Sequence, residues 1–320
     1  MSGGLRVDRL TVEYRLPSGT IRGASEVSFT VEPGERLGIV GESGSGKSTT
    51  ALALLRMITP PGRIAAGSIL LDGVELTTLS PSQMRAARLK LVSYIPQGAM
   101  NSLNPVKTIG SQMLDAILDH DAAPTRALAM ARVAEALRGV DLRPEVARSY
   151  PHELSGGMKQ RVCIAIGMLL SPRLIVADEP TSALDVVTQR QVMETLGRLQ
   201  KETGCCLILI GHDMGLMAQF VDRLAVMYAG RIVEIGSVAQ TFREPRHPYT
   251  RMLIESVPTL ENRGHLVGLP GTAPSLARLP PGCSFAPRCP SVMPICRGDR
   301  PPEVSIGRRR VVACRLEQAR

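Results

Sequence analysis

The stretch Leu37-Gly38-Ile39-Val40-Gly41-Glu42-Ser43-Gly44-Ser45-Gly46-Lys47-Ser48-Thr49-Thr50 decides the fold of this chain. The apolar run that ends at Val40 predicts a buried strand, and an apolar helical pattern follows from Thr50 to Met57. Gly41, four further residues and Gly46-Lys47-Ser48 have the spacing of a phosphate-binding loop, or P-loop. Its glycines let backbone N–H groups converge on phosphate oxygens, and Lys47 adds a point charge. The stretch therefore predicts a nucleotide site, with a chance glycine-rich turn as the alternative.

Length and composition set the broad class. With 320 residues, of which 44% are hydrophobic, the chain can hold two domains, or one large domain with an addition. No apolar run approaches the ~18 residues that a membrane-spanning helix needs. The first residues lack the charged-then-apolar pattern of a secretory signal. We therefore expect a cytosolic protein.

The net charge of +9 is concentrated near the end of the sequence. From Gly264 to Arg320 there are nine arginines but only three acidic residues. The run Arg308-Arg309-Arg310 suggests a solvated basic face, with lipid headgroups or an acidic protein as alternative partners. Because aromatic residues make up 3% of the chain and tryptophan is absent, stacking on exposed bases is poorly supported. We expect no nucleic-acid partner.

The order of predicted elements indicates an α/β fold. Two strands, Leu5 to Glu13 and Val27 to Val31, form an antiparallel-looking pair before the P-loop strand. Tyr14 stands at the edge of this pair, either to stack on an adenine ring or as an ordinary strand-end aromatic. From Asn101 to Ser171 helical patterns dominate, and strands then alternate with helices up to about residue 236. This alternation predicts a parallel sheet covered on both faces, with an inserted helical subdomain.

Polar residues at the ends of strands supply candidate chemistry. The apolar strand Leu174 to Ala177 leads into Asp178-Glu179, which predicts a magnesium ligand next to a free carboxylate. Glu179 can act as the base that activates water, and Ser48 can bind the same metal ion. Gln97 and His212 also follow predicted strands, and parallel strands present their carboxyl ends to ligands. Gln97 can coordinate magnesium or a water molecule through its amide oxygen.

A second glycine-led helix start identifies the family that the chain resembles. Leu154-Ser155-Gly156-Gly157-Met158-Lys159-Gln160 is similar to the signature sequence of ATP-binding-cassette (ABC) ATPases. The P-loop, Gln97, the strand that ends in Asp178-Glu179, the loop Ser182-Ala183-Leu184-Asp185 and His212 match the other cassette motifs, in order. The resemblance covers about the first 240 residues. It implies a P-loop ATPase fold with a parallel-sheet core, an antiparallel β subdomain and a helical subdomain.

The resemblance also implies how the site works. Two cassettes enclose two ATP molecules, and each P-loop faces the partner's signature, so this chain with one of each needs a second ABC subunit. Signature residues would contact the partner's ATP, Asp185 would bridge the two subunits, and His212 would hold the γ-phosphate. Gln97, Glu179 and His212 would be catalytic, Tyr14 would stack on adenine, and Ser48, Gln97 and Asp178 would hold Mg²⁺. The remaining implied ATP ligands are Gly41, Glu42, Ser43, Gly44, Ser45, Gly46, Lys47, Ser48 and Thr49, and the signature contacts are Ser155, Gly156, Gly157 and Gln160.

Two further stretches narrow the resemblance to one branch of the family. Residues 97–105 are similar to the glutamine-loop extension of ATPases that power dipeptide, oligopeptide and nickel importers. Arg246-His247-Pro248-Tyr249-Thr250 resembles the start of that branch's C-terminal region. The sequence departs from this branch's pattern at two places. Gly98-Ala99 stands where Asp-Pro is commoner, and Gly211 stands before His212 where Thr or Ser is usual. Neither change touches a catalytic group. The implied partners are two transmembrane permease subunits and an extracytoplasmic solute-binding protein, with the chain peripheral on the cytoplasmic side of the membrane.

Four cysteines in the tail form a candidate metal site. Cys283, Cys289, Cys296 and Cys314 lie in a proline-rich segment, whereas Cys163, Cys205 and Cys206 lie in apolar elements and are expected to be core thiols. Four thiolates can hold Zn²⁺ or a [4Fe–4S] cluster, but the close Cys-x-x-Cys pair typical of zinc is absent. Some peptide-importer ATPases carry a cluster at similar cysteines, which favours [4Fe–4S] over Zn²⁺ or unligated thiols. A structural role for the cluster is expected.

These observations predict a cassette over residues 1–240, with its helical subdomain at about 98–171, and a small loop-rich domain over 241–320. The predicted function is that of an ATPase that powers import of peptides or related solutes. One alternative is a non-transport ABC ATPase that acts on ribosomes or DNA, although tandem cassettes and long coiled-coil arms are missing. The other alternative, a P-loop module without turnover, conflicts with the presence of both Glu179 and His212.

Overall fold

The structure is a computed structural model, and it describes residues 3–98, 102–120, 125–182, 184–257 and 271–318. The predicted motif positions Ala99, Met100, Asn101 and Ala183 lie outside the described residues. The strands are β1 (Leu5–Leu16), β2 (Gly19–Val31), β3 (Arg36–Val40), β4 (Gly62–Leu71), β5 (Val74–Glu75), β6 (Val92–Ile95), β7 (Leu174–Asp178), β8 (Cys206–Ile210), β9 (Arg223–Tyr228), β10 (Arg231–Ser237), β11 (Val304–Gly307) and β12 (Arg310–Val312). The helices are α1 (Lys47–Leu54), α2 (Pro81–Ala87), α3 (Ile109–Leu118), α4 (Arg126–Gly139), α5 (Gly156–Met168), α6 (Val186–Thr203), α7 (Met214–Phe220), α8 (Val238–Arg243), α9 (Pro248–Glu255) and α10 (Ile295–Gly298).

The chain divides into two compact units, each with its own strands. Unit 1 contains Val31–Glu35 and Leu70–Leu209, together with the start of the chain through Leu5. Unit 2 contains Arg6–Thr30, Arg36–Ile69 and Ile210–Arg320. The P-loop therefore belongs to unit 2, and the signature stretch belongs to unit 1.

Unit 2 is built on a sheet with the strand order β11-β12-β10-β9-β3. Strands β3 and β9 run parallel, with Val40 opposite Val226. Every residue of the two strands except Arg36 is buried, as is typical of a parallel sheet that is covered on both faces. Strand β10 pairs antiparallel with β9 on one side and with β12 on the other, where Glu234 lies opposite Val312. Strands β2, β1 and β4 are neighbours in a second sheet. The end of the chain thus completes the same sheet that carries the P-loop strand.

Unit 1 combines a short run of buried strands with helices. Strands β8, β7 and β6 are neighbours in that order, and β6 and β7 are parallel, with Ile95 opposite Ala177. Helices α3, α4 and α5 pack together through apolar side chains such as Met113, Val133 and Val162, all fully buried. Helices α3, α4 and α5 all lie within the stretch from Asn101 to Ser171, where the sequence predicts helices. This arrangement agrees with the expected helical block.

The tail differs from its prediction in two respects. Residues 238–243 form α8, and β11 and β12 form a hairpin, neither of which the sequence patterns indicate. The expectation of a solvated basic face at residues 308–310 is wrong for Arg310, whose Nη2 donates to Glu234 Oε1 at 2.9 Å with both side chains buried. A charged side chain that is buried needs an opposite charge beside it, and Glu234 supplies that charge to Arg310. Arg310 is therefore part of the packed interior of the tail. Cys163, Cys205 and Cys206 are buried as expected.

Candidate nucleotide site

The P-loop lies between β3 and α1 in unit 2. Strand β3 ends at Val40, and α1 begins after Gly46, whose φ of 102° lies in the left-handed region. Lys47 is buried, and its Nζ donates to Gly41 O at 2.7 Å and to Glu42 O at 2.9 Å. The ammonium group is therefore held inside the curve of the loop, where a phosphate would meet it.

The start of α1 differs from the starts of the other long helices in the described ranges. Its N-cap, Gly46, makes no side-chain capping bond. The other described helices of eight residues or more, α3, α4, α5, α6 and α9, each have an N-cap side chain that accepts from a backbone N–H. The first N–H groups of α1 consequently receive no side-chain acceptor from the N-cap, as an anion-binding helix start requires.

Two glycines of the loop touch backbone so closely that no side chain fits. A Cβ atom on Gly41 would lie 2.2 Å from Met227 O, and one on Gly46 would lie 2.3 Å from Gly23 O. Gly230 N donates to Ser45 O at 2.8 Å and fixes the loop from the β9–β10 turn. The Ser45 hydroxyl is buried and has no hydrogen-bond partner among the described residues. The loop is thus shaped by its own backbone and by neighbouring turns of unit 2.

Tyr14 is placed beside the P-loop helix. Its hydroxyl lies 3.5 Å from Thr49 Oγ1. Its ring lies against Gly23 and Gly62, where added Cβ atoms would come within 2.8 Å and 2.7 Å of it. The structure therefore brings the predicted adenine-stacking residue and the P-loop together within one unit.

The carboxylates of unit 1 occupy the end of β7. Asp178 is the last residue of the strand and is buried, and Tyr94 Oη donates to its Oδ2 at 3.4 Å. Burial, with Asp178 as a further cause, raises the pKa of Tyr94 to about 12. Glu179 has a φ of 44°, and its Oε2 accepts from Gln97 Nε2 at 3.0 Å. The structure therefore joins the predicted base to the predicted glutamine directly.

The signature residues and Asp185 also meet within unit 1. Ser155 is the N-cap of α5, and its Oγ accepts from Met158 N at 3.3 Å. A Cβ atom on Gly157 would lie 2.4 Å from Thr188 Cγ2, so the first turns of α5 and α6 are adjacent. Asp185 caps α6, and its carboxylate accepts from Thr188 N and Thr188 Oγ1, which lowers the pKa of Asp185. This packing was not predicted from the sequence.

Gln160 and His212 are placed differently from one another. Gln160 is 3% exposed on α5, and its Nε2 has no hydrogen-bond partner in the described part of the chain. His212 is exposed in unit 2, directly after Gly211, whose N–H donates to Ile39 O at 3.2 Å. The backbone beside His212 is therefore anchored to the P-loop strand through Gly211, whereas Gln160 is buried within unit 1.

Sequence reasoning missed two side chains that hold Glu42 of the P-loop. Arg288, from a short 3₁₀ turn at Ala286–Arg288, forms a two-pronged ion pair with the Glu42 carboxylate. Glu42 N donates to Tyr249 Oη at 2.9 Å. Tyr249 belongs to the quoted stretch 246–250, which could have drawn attention to it, but no local signal marks Arg288.

The four tail cysteines lie within electrostatic range of one another. Burial, with the charges of Cys283, Cys289 and Cys296 as lesser causes, raises the pKa of Cys314 to about 11. Cys283 N donates to Cys296 O at 2.8 Å. In the described ranges, however, no three or more His, Cys, Asp or Glu side chains are grouped so as to hold a metal ion. The donor set suits a thiolate-bound metal, but the side chains as placed do not form its coordination sphere.

Among the described helices, none is long and apolar enough to cross a membrane.

Comparison with protein families gives two matches. Residues 24–182 match the model described as "ABC transporter", and residues 233–296 match the model described as "Oligopeptide/dipeptide transporter, C-terminal region". The chain is 41% identical over 314 residues to the oligopeptide transport ATP-binding protein OppD of Salmonella typhimurium, covering 97% of this chain and 92% of that protein. It is 42% identical over 303 residues to OppD of Bacillus subtilis, covering 93% of this chain and 84% of that protein.

Solved structures show the same fold. The dimeric post-hydrolysis state of the ATP-binding cassette MJ0796 bound to ADP and Pi matches with a TM-score of 0.65 and 26% identity, over 73% of this chain and 98% of that one. The cbiO1 protein of Clostridium perfringens, part of the ABC transporter complex cbiONQ, matches with a TM-score of 0.65 and 25% identity, over 76% of this chain and 92% of that one. The expected α/β cassette fold is confirmed.

Proposed function

The chain belongs to the ABC transporter ATP-binding proteins of the oligopeptide and dipeptide family, and from this premise we propose that its ATP hydrolysis drives import of peptides across a membrane. The observation that carries the proposal is the uncapped start of α1 at Gly46 with Lys47 buried inside the P-loop. The relatives' names, which specify oligopeptide transport or peptide import, support the choice of peptides as the cargo.

Most of the predicted site residues receive a proposed role. Gly41 to Thr49 cradle the ATP phosphates, Lys47 offsets their charge, and Tyr14 stacks on the adenine. Glu179 takes a proton from the attacking water, and Gln97 holds the Glu179 carboxylate in place through the 3.0 Å hydrogen bond. Ser48, Asp178 and Gln97 would hold Mg²⁺, which neutralises phosphate charge when bound. His212 positions the γ-phosphate and the water, so catalysis consists mainly of positioning and charge stabilisation.

A second cassette completes the site in this proposal. Ser155, Gly156 and Gly157 contact ATP bound by the partner's P-loop, and Asp185 bridges the subunits. The expected contact from Gln160 is not retained, because its side chain is 3% exposed on α5. The dimeric cassette among the matched structures supports this arrangement. We propose the cassette at residues 1–240, with the helical subdomain at about 98–171, and the C-terminal domain at 241–320. The partners are a related ABC ATPase, two permease subunits and, through the complex, a solute-binding protein, with the chain peripheral on the cytoplasmic side of the inner membrane.

Replacing the proposed base tests the enzymatic part. Glu179→Gln should lower ATP hydrolysis by roughly 10²- to 10⁴-fold, since a positioned base contributes about that much. ATP binding should persist, and ATP-bound dimers should accumulate in size-exclusion chromatography with light scattering. The matched control is Glu194→Gln, which alters an exposed glutamate paired with Arg190 and should hydrolyse ATP normally. Normal hydrolysis by Glu179→Gln would overturn the assignment of the base.

The transport part needs the intact complex. Mass spectrometry of the complex purified from membranes should identify two permease subunits and a second cassette. Peptides should stimulate ATP hydrolysis by the complex reconstituted in proteoliposomes together with its binding protein. Co-purification with ribosomes or DNA in place of membrane subunits would favour the non-transport alternative.

We further propose that Cys283, Cys289, Cys296 and Cys314 hold a [4Fe–4S] cluster, with Zn²⁺ as the alternative. All four lie between positions 283 and 314, and the hydrogen bond from Cys283 N to Cys296 O brings two of them together, which supports a shared site. The cluster would stabilise a segment that has little core of its own. Protein purified without oxygen should contain iron and sulfide, and replacing the four cysteines together by serine should remove both. Zinc alone in a metal analysis would overturn the cluster.

A further inference from the structure

A residue of the C-terminal region reaches the P-loop in unit 2. Arg288 Nη1 donates to Glu42 Oε2 at 2.7 Å, and Arg288 Nη2 donates to Glu42 Oε1 at 3.0 Å. The Arg288 side chain is 4% exposed and that of Glu42 is 25% exposed. A bidentate, largely water-excluded pair of this kind fixes both position and orientation, unlike an isolated ion pair on an open surface.

Aromatic rings hold the guanidinium in place. The Arg288 guanidinium lies 5.8 Å from the centre of the Tyr228 ring and 6.0 Å from that of Phe285. Its Nη1 also donates to Tyr228 Oη at 3.3 Å. The hydrogen bond with Glu42 is the main cause that raises the pKa of Arg288. The guanidinium therefore stays charged and has few alternative positions.

The backbone of Glu42 is held from the same side. Its N–H donates to Tyr249 Oη at 2.9 Å, and Tyr249 is fully buried on α9. The Tyr249 ring packs against Tyr228 and Phe285, with ring centres 4.6 Å and 5.4 Å apart. One buried aromatic cluster thus supports both contacts to Glu42.

These contacts matter because of where Glu42 stands. It follows Gly41 in the P-loop, and its carbonyl oxygen accepts from Lys47 Nζ at 2.9 Å. An unneutralised carboxylate at this position would repel the phosphates of an incoming nucleotide. A loop without its support would also have to be ordered at the moment of binding, which lowers affinity.

We propose that Arg288 is a positioning residue for ATP binding: it neutralises and fixes Glu42, so that the C-terminal region forms part of the support of the P-loop. This inference rests on the proposed ATPase function. Because Arg288 contacts the P-loop residue Glu42, we expect it to act on the affinity for ATP and not on the chemical step. The C-terminal region accordingly has a role at the nucleotide site in addition to any metal that it holds.

The test measures nucleotide affinity and turnover of the full chain with Mg–ATP. Arg288→Met should raise the Kd for ATP, measured by titration calorimetry, by about tenfold or more, because a lost hydrogen bond to a charged group has roughly that effect. The KM for ATP should rise in parallel, while kcat at saturating ATP stays within about twofold of the parent value. Arg288→Lys keeps the charge but loses the two-pronged geometry, so its Kd for ATP should lie between those of the parent chain and Arg288→Met. The matched control is Arg297→Met, at an exposed arginine of α10, and it should bind ATP as the parent chain does.

A double-mutant cycle separates positioning from a general loss of folding. Glu42→Gln and Arg288→Met should each weaken ATP binding, but their combination should weaken it by less than the product of the two effects. Multiplicative effects would overturn the proposal, and so would an unchanged Kd in Arg288→Met. If the parent chain itself neither binds nor hydrolyses ATP, the proposed function fails instead. The parent measurement therefore distinguishes the two failures.

Discussion

Helices α1 and α5 both begin at glycine-containing turns, but their first turns are completed in different ways. Gly46 gives α1 no side-chain cap, and its φ of 102° is accessible mainly to glycine. Ser155 gives α5 an ordinary extended N-cap, and its hydroxyl accepts from Met158 N. The uncapped start leaves more backbone donors for a phosphate, whereas the capped start uses one of them internally. We infer that the start of α1 binds an anion more strongly than the start of α5, and that the cap of α5 mainly stabilises the helix itself.

The glycines at the two starts are also constrained by different neighbours. Gly46 faces backbone, since its added Cβ would lie 2.3 Å from Gly23 O. Gly157 faces a side chain, since its added Cβ would lie 2.4 Å from Thr188 Cγ2. A backbone atom of a paired strand cannot move without disturbing the sheet, but a methyl group can be removed by mutation. We therefore expect that no second substitution can restore the stability lost in Gly46→Ala, whereas a smaller side chain at Thr188 can restore the stability lost in Gly157→Ala.

The largest effect is expected for Gly46→Ala. Both the left-handed φ and the contact with Gly23 O oppose a side chain, so the free energy of unfolding should fall by about 2–4 kcal/mol. The matched control is Gly204→Ala after α6, where φ is 65° but nothing lies within 4 Å of the added Cβ. That control should cost only the backbone strain, about 1–2 kcal/mol. Urea denaturation of both variants measures the difference, and equal losses would show that the contact with Gly23 does not constrain the loop.

A smaller effect is expected for Gly157→Ala. The new methyl group would collide with Thr188, whose Oγ1 is held by Asp185 Oδ2 at 2.7 Å, so we expect a loss of about 1–2 kcal/mol. Thr188→Ser removes the colliding methyl group and keeps the hydroxyl, and it should restore most of the stability in the double variant. Gly156→Ala is the control, because its Cβ would make ordinary contact with Leu184 Cδ2 at 3.4 Å.

Hydrolysis by the rescued double variant then tests the role of Gly157. If the glycine contacts ATP across the dimer as proposed, Gly157→Ala with Thr188→Ser should regain stability but remain slow in ATP hydrolysis. Recovery of both would mean that Gly157 serves only the packing of α5 against α6.

The two helix starts also show what the sequence can predict. The P-loop and the signature are local patterns, in which glycine, lysine and serine at fixed spacing specify the turn and its chemistry. Strands β3 and β7 were predictable for a similar reason, because an apolar run that ends in polar residues is typical of a buried parallel strand. Roles that depend on local spacing can therefore be predicted from the sequence alone.

Contacts between distant residues carry no such pattern. Glu42 and Arg288 are separated by 246 positions, and each alone is an ordinary charged residue. Arg310 stands in a basic run typical of a solvated surface, yet its pairing with Glu234 of β10 buries it. The β11–β12 hairpin was missed because its partner strand β10 lies far back in the chain, and pairing register is set by tertiary packing. The support of the nucleotide site thus became visible only in the fold.

The smallest effect is expected at the N-cap of α5, where stability and function can be separated. Ser155→Ala removes the hydroxyl that accepts from Met158 N, and loss of such a cap costs about 1 kcal/mol. Ser155→Gly should cost only a few tenths of a kcal/mol, because glycine is itself tolerated as an N-cap. Thermal denaturation should therefore rank the parent and Ser155→Gly close together, with Ser155→Ala below them.

ATP hydrolysis should rank the same three proteins differently. If the Ser155 hydroxyl also contacts the γ-phosphate bound by the partner cassette, Ser155→Gly should lose hydrolysis as severely as Ser155→Ala despite its near-normal stability. If hydrolysis instead follows stability, Ser155 acts only as a helix cap. The two helix starts would then differ more clearly. Only the start of α1 would bind a phosphate through an uncapped first turn, whereas α5 would contribute to the site through its glycines and the packing of its first turn.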